Sequence, residues 1–180
     1  MGSLVYILPV AGLIGLIYTF VRSSWVSRQE VGEQRLADIA KNIADGAMAF
    51  LRAEYRILAI FVVAVAALLA FKGQSEELSN FWVAISFILG AISSAVAGFI
   101  GMRVATKANV RTTNAAKNSL AKALEVAFAG GSVMGMGVVG LGVLGLGLLF
   151  IVYTALDFGG NGAELDGDEV AIILNVISGF

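Results

Sequence analysis

The chain has 180 residues, is 58% hydrophobic and 14% charged, and carries a net charge of −1 at a mean hydropathy of +0.88. A soluble domain is about a quarter charged, and a chain this small has too much surface to hide so much apolar side chain from water. A water-soluble globule is therefore excluded and the membrane class is indicated. The sequence contains no cysteine and no histidine, which removes disulfides, thiolate metal sites and imidazole proton relays. The near-zero net charge supplies no basic field for nucleic acid.

Leu4–Val21 is the first uncharged run. It lacks a basic segment in front of it and reads as a retained span, not a cleaved leader. Its Pro9 lies in the first turns, where a missing N–H costs least. Tyr6, Tyr18 and Trp25 sit where interfacial aromatics are expected. From Arg22 to Arg56 the chain is polar, but Leu36, Ile39, Ile43, Ala47 and Phe50 recur at spacings of three and four. That periodicity predicts an amphipathic helix, packed on the bundle or lying at the interface, that continues into a short second span, Ile57–Phe71. The third uncharged run is Leu78–Met102, where Gly90, Ser94 and Gly98 form a small-residue stripe of the kind that lets helix backbones approach closely. Arg103, Lys107 and Arg111 then project from one face of a helix that continues beyond the membrane. This basic face could bind phosphate groups, or serve as topological charge in contact with anionic headgroups.

Val126–Leu156 is the fourth uncharged run. Within it, Gly135-Met-Gly-Val-Val-Gly140 fits the G-x-G-x-x-G dinucleotide fingerprint. The fingerprint requires a preceding strand, and Ser119–Ala129 reads as helix, so the match is an accident of composition. A continuous helix explains the glycines better. At 100° per residue, Gly131, Gly135, Gly142 and Gly145 cluster on one side, and Gly130, Gly137, Gly140 and Gly147 on the other. Two close-packing faces against different neighbours are expected. An acidic loop, Asp157–Glu169, follows, and Val170–Phe180 begins a fifth apolar run.

The expected fold is all-α: a polytopic transmembrane helix bundle forming a single membrane domain over 1–180. It has four complete spans, at about 4–21, 54–72, 78–102 and 126–156, and the start of a fifth at 170–180. Of the 12 basic residues, six lie between Arg22 and Arg56, five between Arg103 and Lys122, and the last is Lys72. By the positive-inside rule those two loops are cytoplasmic, which places the N-terminus outside. No acid falls within an uncharged run, so the residues reveal no ion relay and no catalytic group.

Several stretches together resemble the membrane-bound, ion-translocating inorganic pyrophosphatases. Asp45-Gly-Ala-Met-Ala-Phe-Leu51 looks like the segment before that family's second helix. Gly101-Met-Arg-Val-Ala-Thr-Lys-Ala-Asn-Val-Arg-Thr-Thr-Asn-Ala-Ala116 is similar to its signature at the end of helix three. Gly130-Gly-Ser-Val-Met-Gly-Met-Gly137 resembles the start of helix four, and Asn175-Val-Ile-Ser-Gly-Phe180 the start of helix five. The resemblance implies homodimeric pumps of about sixteen helices in an inner and an outer ring. They hydrolyse pyrophosphate at a cytoplasmic Mg²⁺ site, with K⁺ as a further candidate cofactor, and drive H⁺, Na⁺ or both outward. It places the membrane at the cell surface in a prokaryote and at a vacuole in a eukaryote.

The family's aspartate-rich motifs and ion gate lie from helix five onward, so no catalytic, cofactor or metal residue is carried over to this chain. The expectation is an N-terminal, outer-ring portion that is inactive by itself. The other reading of the residues is a small non-catalytic helical bundle, structural or interacting.

Overall fold

The computed structural model describes residues 6–72, 81–156 and 167–180. The helices are α1 (Ile7–Arg28), α2 (Gln34–Lys72), α3 (Phe81–Ala116), α4 (Leu120–Ala155) and α5 (Gly167–Ile177), with no strand among the described residues. The first four are long and apolar enough to cross a membrane. At 1.5 Å per residue, the 36 residues of α3 or α4 extend about 54 Å, well beyond a hydrocarbon core of about 30 Å. Their polar thirds therefore continue as helix outside the lipid. The amphipathic stretch and the second uncharged run form one unbroken helix, α2, of 39 residues. Residues 1–5, 73–80 and 157–166, which include the starts of the first and third expected spans and most of the acidic stretch Asp157–Glu169, lie outside the described residues.

Local chemistry sets the helix boundaries. Pro9 occupies the third position of α1, among the first N–H positions that have no intrahelical acceptor. Between α3 and α4 the chain turns through Lys117–Ser119, and the Ser119 carbonyl accepts the first α4 bond, from Ala123 N–H at 3.1 Å. The outer surface is apolar: Phe20, Phe71 and Phe128 are each at least 74% exposed, and only 6% of the most apolar window of α2 is buried. Water would penalise such a surface, whereas lipid solvates it.

The chain forms two compact units. The first comprises Met1–Leu13, Ile57–Ser94 and Leu141–Phe180. Its core is Val83, Leu149, Tyr153, Ile173, Val176 and Ile177, so α5 is anchored through three buried side chains despite its length. Tyr153 stands edge-on to Trp82 at 5.7 Å, and its hydroxyl lies 2.9 Å from that of Ser86, both residues being buried. The Tyr153→Phe variant leaves the Ser86 hydroxyl in a dry core with one partner fewer. It should cost about 1–2 kcal/mol by chemical denaturation, and the Ser86→Ala/Tyr153→Phe double variant should cost less than the sum of the two single losses.

The second unit comprises Ile14–Arg56 and Ala95–Gly140. Its buried cluster is Val26, Val104, Ala108, Ala129 and Val133, from α1, α3 and α4, with Trp25 and Ile100 packed against it. In this unit α2 joins α3 through Tyr55, whose hydroxyl donates to the Ala95 carbonyl at 2.6 Å. The amphipathic face of α2 lines a shallow cleft of about 200 Å³ with Leu36, Ile39 and Ile43, opposite Thr106, Val110 and Thr113 of α3.

Candidate functional site

The polar end of α3 is the most heavily bonded part of the second unit, and it does not present its arginines as one face. Arg111 Nε donates to the Gln29 carbonyl at 2.9 Å, one Nη to Ser27 O at 3.1 Å and the other to Lys107 O at 2.9 Å. Ser27 and Gln29 lie at the C-terminal end of α1, where carbonyls lack intrahelical donors and the helix dipole favours a cation. Arg111 thus caps α1 and is committed to backbone. One turn on, the Asn114 amide donates to Glu30 O at 3.4 Å, and a further turn on, Lys117 Nζ pairs with Glu33 Oε1 at 2.7 Å. The Glu33 carbonyl accepts the first bonds of α2, from Leu36 N–H and Ala37 N–H. Three residues at spacing three therefore clamp the whole α1–α2 connection onto α3. Gly32, at φ +89°, lets that connection pass, and a Cβ there would overlap Asn114 Oδ1.

Lys117 holds the Glu33 carboxyl below its ordinary value of 4.5, chiefly through their hydrogen bond and then through its charge. A depressed carboxylate contributes stability above its unfolded pKa and loses it as pH falls through the folded one. The Lys117→Gln variant should flatten the acid-side fall in stability that begins below about pH 4.5, as measured by denaturation across pH 3–6. The pair is solvent-exposed, so salt should shrink the difference.

Of the remaining basic residues, Arg103 lies over the Phe99 ring at 5.9 Å and Arg22 over Trp25 at 4.8 Å. Lys107 contributes its carbonyl to Arg111 and is half-buried.

The glycines of α4 separate by face. Gly130, Gly137, Gly140 and Gly147 are buried. A Cβ on Gly130 would come 2.6 Å from Ala108 Cβ, on Gly137 3.5 Å from Thr19 Cγ2, and on Gly147 2.8 Å from Pro9 Cδ. Gly140 Cα lies 3.4 Å from the Cβ position of Gly15 on α1. On the other face, Gly131, Gly135 and Gly142 meet nothing within 4 Å, while Gly145 lies against the Phe180 ring. The structure thus fills one of the two expected faces at all four glycines and the other only at Gly145. Beside the open one, a cleft of about 500 Å³ is bounded by Ala105, Asn109 and Thr112 of α3 and by Gly130, Gly131 and Met134 of α4. On α3, Gly90 accommodates the Phe180 carbonyl, Gly98 lies 3.1 Å (by its Cβ position) from the Tyr55 hydroxyl, and Ser94 is exposed.

Among the described residues, no group of three or more His, Cys, Asp or Glu side chains is placed to hold a metal ion. The loop clamp was the part that sequence reading missed. Its signal was available in Arg111, Asn114 and Lys117 at regular spacing and in a lone glycine between two helical patterns, but nothing in the sequence pairs one with the other.

The profile of the family described as "Inorganic H+ pyrophosphatase" matches residues 13–180. The chain belongs to that family. Among its relatives, a Clostridium tetani protein named as a K(+)-stimulated pyrophosphate-energized sodium pump is 47% identical over 186 residues, covering 100% of this chain and 26% of that protein. A K(+)-insensitive pyrophosphate-energized proton pump of Methanosarcina mazei is 39% identical over 168 residues, covering 92% of the chain and 24% of the protein. A second such proton pump, from Moorella thermoacetica, is 41% identical over 147 residues, covering 82% and 21%. The chain therefore spans about a quarter of the length of these relatives. It is an integral, multi-pass membrane protein.

Proposed function

We propose that this chain is the outer-ring scaffold of a membrane pump that hydrolyses inorganic pyrophosphate at a cytoplasmic, Mg²⁺-dependent site and moves H⁺ or Na⁺ outward, and that the chain itself contributes no catalytic group. The observation that carries this reading is the open glycine face of α4. Gly131, Gly135 and Gly142 leave a furrow in a helix of the membrane interior, where lipid gains nothing from a furrow and a neighbouring helix gains close contact. The segment is shared by relatives named for sodium and for protons, and for K⁺ stimulation and K⁺ insensitivity. That sharing supports placing ion choice and K⁺ response elsewhere in the pump. The scaffold works within a homodimer, in one continuous membrane domain. Its basic loops are cytoplasmic and its N-terminus lies outside.

A chimera tests the reading. The matching quarter of the Clostridium tetani relative is replaced by this chain, and pyrophosphate-driven ion uptake is measured in inverted vesicles. Uptake should persist in the chimera and fall at least tenfold with Gly135→Leu, which fills the furrow. Full uptake by the Gly135→Leu chimera would contradict the role of the open face as a seat for a neighbouring helix.

A further inference from the structure

Arg22 and Arg103, both of the second unit, stand outside the loop clamp. Arg22 follows the uncharged run Leu4–Val21 directly, and Arg103 follows Leu78–Met102. They belong to α1 and α3, whose Val26 and Val104 share one buried cluster. Each guanidinium lies over an aromatic ring of its own helix, Arg22 over Trp25 at 4.8 Å and Arg103 over Phe99 at 5.9 Å. Among the described residues, neither forms an ion pair, whereas Lys117 does. Arg22 Nε is buried without a hydrogen-bond partner.

Their surroundings decide what they can bind. Arg111 has turned all three of its nitrogens to carbonyls. Arg103 retains its donors, and Arg22 those of its terminal nitrogens, its Nε being buried. A guanidinium resting on a ring directs its N–H groups outward in its own plane, the arrangement that grips two oxygens of a phosphate. An arginine that closes an apolar run is held at headgroup depth, with its stem along the hydrocarbon. We propose that Arg22 and Arg103, on their Trp25 and Phe99 platforms, bind the phosphate of an anionic phospholipid in the leaflet that the basic loops face. The site makes this end of α1 and α3 selective for anionic lipid and is separate from any pyrophosphate site.

Trp25 can report on the site directly. The sequence has two tryptophans, so Trp82→Phe leaves Trp25 as the sole tryptophan, whose emission is excited selectively over that of the four tyrosines. This chain is reconstituted in phosphatidylcholine vesicles containing either brominated phosphatidylglycerol or brominated phosphatidylcholine, and the two quenching curves give a relative lipid affinity. Phosphatidylglycerol should be preferred severalfold. Arg22→Gln should bring the preference down to near parity, as should Arg103→Gln, because each removes a guanidinium that grips the phosphate. The Arg103 substitution is remote in sequence from the fluorophore and guards against a local disturbance of Trp25. Arg35→Gln, at an exposed position at the start of α2, should change nothing. Equal quenching by the two lipids would overturn the proposal. So would a loss with Arg35→Gln as large as that with Arg22→Gln, which would reduce the effect to bulk charge. Reversal of phosphatidylglycerol quenching by added pyrophosphate would likewise assign the arginines to free phosphate and not to lipid.

Discussion

Leucine in place of Gly147 or Gly130 is expected to cost about 3 kcal/mol or more, while leucine in place of Gly131 or Gly135 should shift stability by no more than about 1 kcal/mol. The four positions lie on one helix and the substitution is the same, so propensity cannot separate them. Leucine is in fact the better helix former by nearly 1 kcal/mol. The difference lies in what the new side chain meets. At Gly147, a Cβ would come 3.1 Å from the Pro9 backbone nitrogen, and at Gly130, 2.6 Å from Ala108 Cβ on α3. Neither obstacle is the movable end of a long side chain, so the helices must separate and lose contacts along their length. At Gly131 and Gly135 the side chain enters open space. Reversible unfolding in detergent, followed by circular dichroism, measures all four variants. Equal losses on both faces would contradict the packing described here.

The second large effect is expected at Arg111. The Arg111→Met variant keeps much of the apolar stem but withdraws three N–H donors from carbonyls, two of which belong to the end of α1 and its connection to α2. A hydrogen bond to a charged group contributes about 1.5–3 kcal/mol, and a cation at a helix C-terminus adds to it. A loss of about 2–4 kcal/mol is expected. Amide hydrogen exchange should rise locally at Gln29–Glu33 and in the last turn of α1. The Gly32→Ala variant should loosen the same segment, because alanine both resists φ +89° and meets Asn114 there. Lys107→Met, one turn away on α3, serves as the control and should stay within about 0.5 kcal/mol of wild type. If Lys107→Met exposed the loop as strongly as Arg111→Met, the loss would reflect basic charge and not the cap.

The spans were legible because the hydrocarbon core imposes length and the absence of charge on whole stretches, which composition alone displays. The runs ending at Val21 and Met102 and that beginning at Ile57 correspond to apolar parts of α1, α3 and α2. The continuity of α2 was legible as well, since the three-four spacing of Leu36, Ile39 and Ile43 leads into Ile57 without a proline or a glycine pair. The two faces of α4 followed from helical geometry, but which one is covered did not. Covering depends on where α1 runs, and the contacts of Thr19 and Pro9 with Gly137 and Gly147 join positions more than a hundred residues apart. The basic residues of α3 show the limit most clearly. Arg103, Lys107 and Arg111 share a spacing, yet one lies on Phe99 and another caps α1. Spacing assigns residues to a face; only the neighbouring helices decide what each residue does there.

The measurement that tests the central claim most directly is pyrophosphate hydrolysis by this chain alone, purified, reconstituted in vesicles and supplied with Mg²⁺, with K⁺ present and absent. A scaffold without a catalytic group should release phosphate no faster than empty vesicles under either condition. Mg²⁺-dependent turnover above that background would contradict the account and place catalytic groups within these 180 residues.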